Sequence, residues 1–98
     1  MYNQKLSEYL FKAIKDNKLS KVSYILNLGA DMSICNRYQE SPLMVAVMYK
    51  RFEIAKELLG RGIEVDAKDF KENTPLMGAV ASGQFDMAKM LVFFGADV

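Results

Sequence analysis

The chain is 98 residues long, with 13 basic and 12 acidic side chains and a net charge of +1. That length suffices for one small domain, and so balanced a charge gives no field to draw the molecule toward nucleic acid or an anionic membrane. It has no histidine, the commonest general base and metal ligand, and its single cysteine, Cys35, can form no intrachain disulfide and has no histidine to activate it.

Residues 1–5 lead into an amphipathic segment, not into the unbroken apolar run of a secretory leader. The longest apolar stretch near the C-terminus, residues 90–94, is far short of the ~20 residues of a membrane span. An intracellular, cytoplasmic setting is the expectation. The first segment is amphipathic, with Lys5, Glu8, Lys12 and Lys15 along one helical face and Glu8 four residues before Lys12, where an ion pair is favourable. Asn17 marks the turn to a second helix.

In the middle of the chain, Ser41 is placed to cap a helix that begins with Pro42 and continues with apolar residues at 43, 46 and 47. This helix should end near Tyr49 and Lys50. A second should begin near Phe52, present Ile54, Ala55, Leu58 and Leu59 on one face, and terminate at Gly62 in a left-handed conformation. Residues 64–73 lack helical periodicity and are rich in turn formers, which predicts an extended, hairpin-like connection. Thr74 and Pro75 then start a third pair. Ala79 and Val80 are expected to pack inward, Gly83 to make the turn, and Gly95 to end a helix whose apolar face is Phe85, Ala88, Leu91 and Val92.

A single step of 33 residues joins these elements. Gly29, Gly62 and Gly95 keep it, as do Leu10, Leu43 and Leu76, and Ala13, Ala46 and Ala79. Residues 41–65 laid over 74–98 agree at 11 of 25 positions. A fixed period of this length marks a stacked array, whose units bury their faces on one another. The order Thr74-Pro75-Leu76-Met77, with Gly29-Ala30-Asp31-Met32 and Gly95-Ala96-Asp97-Val98, resembles the ankyrin repeat. The resemblance covers the chain from about Lys5 onward. It implies an all-α solenoid, a single domain over residues 1–98 with three helix-turn-helix units at about 5–36, 37–69 and 70–98. Two departures stand out: Met44 and Met77 occupy the family's histidine position, where core filling is expected of both, and Gln39 and Glu72 replace its loop glycine.

The two ends differ. Val45 and Ile54 press on the preceding unit, but Lys12 and Lys21 stand 33 residues before them, so the first unit reads as a cap. The last unit has no such polar finish. Phe85 and Val92 correspond to Phe52 and Leu59, which should face a following unit, and Phe93 and Phe94 replace Gly60 and Arg61. Stacked arrays generally end on a polar face. Self-association through Phe85, Val92, Phe93 and Phe94, as a homodimer, is therefore expected unless the chain is part of a longer array.

No constellation for catalysis emerges, and neither enzyme activity nor a cofactor or metal is expected. Asp66 and Asp69 lack the glycine and terminal glutamate of a calcium loop and read as solvated charges. What the resemblance implies is protein binding, without nucleic acid or membrane, on the groove formed by loop tips and first helices. Carried over by position, that surface is Arg37, Tyr38, Glu40, Met48, Tyr49, Phe70, Lys71 and Asn73, flanked by Lys15, Asp16, Ala81 and Ser82. Aromatics, methionine and arginine are enriched at interface cores. The alternatives are a structural, self-assembling role or a regulatory segment of a larger protein.

Overall fold

Helices of seven or nine residues do not persist alone in water, so stacking must hold this chain together. The computed structural model describes residues 2–98, with side chains from Lys5 onward. The expectation of no leader and the domain start at residue 1 both involve Met1, which lies outside the described residues. Six helices follow one another: α1 (Tyr2–Lys15), α2 (Leu19–Asn27), α3 (Pro42–Met48), α4 (Phe52–Gly60), α5 (Pro75–Ala81) and α6 (Phe85–Phe93). No strand occurs among the described residues, and none of these helices is long and apolar enough to cross a membrane.

Local chemistry sets each boundary. Ser41 Oγ accepts the Met44 N–H at 3.2 Å, and Thr74 Oγ1 accepts that of Met77 at 3.3 Å, with proline at the first helical position in both cases. Gly62 and Gly95 leave their helices at φ +89 and +102, where a side chain would be strained. The inter-helix turns use Asn17, Lys50 and Gly83 at φ 57, 60 and 73. Gln39 and Glu72 hold φ 60 and 69 in the loops, so the turn survives without the family's glycine.

The pairs α1–α2, α3–α4 and α5–α6 pack internally, and the units stack with α1 on α3, α3 on α5, and α2 on α4. Leu10, Ile14, Val22, Leu43, Ile54, Leu58 and Leu91 form one continuous core. A side-chain clasp repeats at the unit boundaries. Arg51 Nε donates to the Ile14 carbonyl at 3.2 Å and its Nη2 to the Lys15 carbonyl, while Gln84, one repeat later, donates to the Val47 carbonyl at 2.8 Å. Each clasps the C-terminal end of the preceding unit's first helix.

Three expectations need correction. Met44 is buried, but Met77 and Val80 are more than half exposed. The methionine letter repeats, but its burial depends on a following unit, and α5 has none upon it. Lys12 pairs with Asp16 at 3.2 Å, not with Glu8, and both partners are exposed. Asp66 and Asp69 do more than sit in solvent: the Asp66 carboxylate accepts the Asp97 N–H at 3.1 Å, and Asp69 organises a hairpin tip.

Candidate functional site

The two hairpin tips are built alike from different residues. Asn36 Oδ1 accepts the N–H groups of Tyr38 and Glu40 at 2.9 and 3.0 Å, and its Nδ2 donates to the Glu40 carboxylate at 2.8 Å. One repeat on, Asp69 Oδ1 accepts the N–H groups of Lys71 and Asn73, both at 2.9 Å, and Oδ2 accepts the Asn73 side-chain amide at 3.3 Å. Amide and carboxylate have exchanged places. Each tip also closes on itself, Asn36 N–H to the Glu40 carbonyl and Asp69 N–H to that of Asn73, at 3.0 Å in both. Burial pushes the Asp69 carboxyl up, but the hydrogen bonds from Asn73 and Lys71 outweigh it and hold its pKa below the ordinary value.

These tips aim side chains outward and link to each other. The Phe70 N–H donates to the Tyr38 carbonyl at 3.3 Å, bringing the two aromatic residues onto adjoining loops. Tyr38 and Phe70 are both exposed. The Arg37 guanidinium lies 5.7 Å from the Tyr38 ring centre, and the Lys71 ammonium 5.6 Å from that of Phe70. Met48 and Tyr49 are exposed at the C-terminal end of α3. Arg51 lies 5.8 Å from the Tyr49 ring centre. Of the residues expected in the groove, only Glu40 is half-buried, held by Asn36. Lys15, Asp16 and Arg37 line an open hollow of about 890 Å³ between α1 and the first loop.

The residues expected to self-associate divide in two. Phe85 and Val92 are exposed on α6. Phe93 and Phe94 meet edge to face, with ring centres 5.3 Å apart. Phe94 lines a hollow with Leu19, Glu57 and Arg61 and so turns back along the second helices. A Cβ at Gly60, the equivalent of Phe93, would meet nothing within 4 Å, so that side is not stacked upon inside the array. Cys35 is an exposed loop thiol.

Sequence reasoning missed Asn36 and Arg51, and it missed Met77 and Val80 as exposed groups. The 33-residue step held a signal for two of them: Asn36 aligns with Asp69, and Arg51 with Gln84. Residues 10–98 match the family model of ankyrin repeats in three copies. No curated protein matches the chain.

Proposed function

The chain belongs to the ankyrin-repeat family, whose members generally act by binding other proteins, and we propose that this one binds its partner on the groove of loop tips and first helices. Arg37, Tyr38, Glu40, Met48, Tyr49, Phe70, Lys71 and Asn73 make the contact. The observation that carries this reading is that the groove's three exposed aromatics, Tyr38, Tyr49 and Phe70, each have a cation 5.6–5.8 Å from the ring centre. The core does not use these rings. They give flat apolar area at low conformational cost, and the cations favour a partner that presents carboxylates beside an apolar side chain. No bond is made or broken in this function, and a reducing, intracellular setting suits the exposed Cys35 thiol.

A partner cross-linked to the chain, identified, and titrated against single alanine variants tests it. Loss of a true anchor weakens binding by about 30-fold, or ~2 kcal/mol. At least one of Tyr38→Ala, Tyr49→Ala and Phe70→Ala should do so, while Tyr24→Ala, exposed on α2, should not. Unchanged binding by all three groove variants would refute the proposal.

A further inference from the structure

Charge on the groove is unevenly spent. Asp16 pairs with Lys12 at 3.2 Å, and Glu72 with Lys68 at 3.7 Å. Glu40 accepts from the Asn36 side-chain amide, and Asp69 from the Lys71 and Asn73 N–H groups and the Asn73 side chain. The carboxylates at the two tips and at the end of α1 are thus each held by donors of their own chain. The cations beside them are not. Lys15, Arg37 and Lys71 are exposed, and none makes an ion pair among the described residues. The rings beside Arg37 and Lys71 carry no net charge and leave both cations unneutralised. Lys71 also attracts the Asp69 carboxylate, but the oxygens of that group are already taken by N–H donors. Glu8 on α1 has no ion-pair partner among the described residues, and three free cations outweigh it. In a chain of net charge +1, the unspent charge of this face is therefore positive.

Resting on the groove as the binding surface, we infer that its occupant is an extended acidic segment of a partner protein, which enters the hollow between α1 and the first loop. Lys15 and Arg37 line that hollow of about 890 Å³, and Phe11 and Ile34, both half-buried, give it an apolar lining. Carboxylates of the segment meet Lys15, Arg37 and Lys71, and an apolar side chain between them rests on Phe11 and Ile34. The Phe70 N–H bonded to the Tyr38 carbonyl joins the two tips, so one segment reaches both. Stacked helices lie about 8–10 Å apart and an extended chain rises about 3.3 Å per residue, so carboxylates serving successive units stand roughly two to four residues apart. Other anions fit less well. The hollow is open, and a small ligand needs about 70–90% of its surface enclosed. Nucleic acid and anionic lipid present closely spaced charges that call for a run of cations, but these cations share the face with Asp16, Glu40 and Asp69. Isolated carboxylates on a neutral backbone match isolated cations, and they leave the protein's own carboxylates unopposed by like charge.

Random peptides of about twelve residues, displayed and selected on the whole chain at about 50 mM salt, test this, with phosphatidylserine vesicles and single-stranded DNA as competing probes. Selected peptides should carry two or more carboxylates at the stated spacing, beside an apolar residue. Raising salt about tenfold cuts the reach of exposed charges about threefold, and binding should weaken with it. Lys15→Glu and Arg37→Glu change exposed side chains, should stay folded by circular dichroism, and should each weaken binding at least about fivefold. Lys56→Glu, exposed on α4, should leave it unchanged. Cys35 lines the same hollow and is the chain's single thiol, so a bound peptide should slow its alkylation. Neutral or basic peptides that still need Tyr38 and Phe70 would overturn the acidic segment and leave the groove standing. Acidic peptides indifferent to Lys15→Glu, Arg37→Glu and Tyr38→Ala, with Cys35 unshielded, would overturn both. No enrichment, or tighter binding to the vesicles or the DNA than to any selected peptide, would overturn the acidic segment.

Discussion

Replacing Arg51 by alanine should loosen the first unit from the second. The side chain donates to the Ile14 and Lys15 carbonyls at the C-terminal end of α1, where a cation also suits the helix dipole. Hydrogen bonds from charged donors contribute about 1.5–3 kcal/mol each when shielded, and less in water. The Nε bond is half-buried and the Nη2 bond exposed, so about 2 kcal/mol for the pair is reasonable. Loss of the Tyr49 contact adds about 0.5 kcal/mol. In a chain of this size that lowers Tm by about 10–15 °C. Arg51→Gln supplies the informative comparison. Gln84 already performs the clasp at the equivalent position, from a backbone of φ −88, ψ 77 against −95, 78 at Arg51. Glutamine at 51 can therefore make one neutral bond and should recover about 1 kcal/mol. Thermal and urea melts give the totals, and hydrogen exchange locates the loss, which should be greater in α1 and α2 than in α5 and α6. If Arg51→Gln melts with Arg51→Ala, or if the two ends exchange alike, the clasp is not what joins these units.

Two further outcomes follow from the backbone and the hairpin tips. Lys50→Gly should stabilise by about 0.5 kcal/mol, because glycine holds φ 60 without strain but loses more freedom on folding, while Gly83→Lys should destabilise; melts moving the other way would contradict the turn argument. The depressed pKa of Asp69 means that the folded tip prefers the carboxylate, so its contribution is present above the unfolded value of about 3.9 and is lost as pH falls through the lower folded value. Protection factors at the Lys71 and Asn73 amides should decline there, and Asp69→Asn, which copies Asn36, should keep the tip while flattening the decline. Equal acid sensitivity in both proteins would rule this out.

What could be read before folding was whatever repeats as a letter and acts locally. Ser41 with Pro42 and Thr74 with Pro75 set helix starts, and Gly62 and Gly95 set helix ends, because caps and left-handed turns need only their neighbours in sequence. What escaped depends on atoms brought from elsewhere. Met44 and Met77 are one letter with opposite fates, decided by a unit that lies upon one and not the other. Arg51 and Gln84 are different letters performing one contact, as are Asn36 and Asp69, since each role belongs to a single donor or acceptor atom. Lys12 chose Asp16, just past the end of α1, over Glu8 one turn earlier, and spacing alone does not distinguish them.

From Ser41 to Val47 every residue is buried, so α3 has no solvent side until Met48. A helix with no exposed stripe cannot form early as an independent amphipathic element. It has to wait for α1 on one flank or α5 on the other, and whichever docks first completes half of its enclosure. The middle unit therefore belongs to every productive nucleus, and the outer units can fray and rejoin in either order. Refolding should proceed by two parallel routes, both passing through α3 and α4. Substitutions in α3 should slow both routes, and those in α2 or α6 should mainly hasten unravelling from their own end.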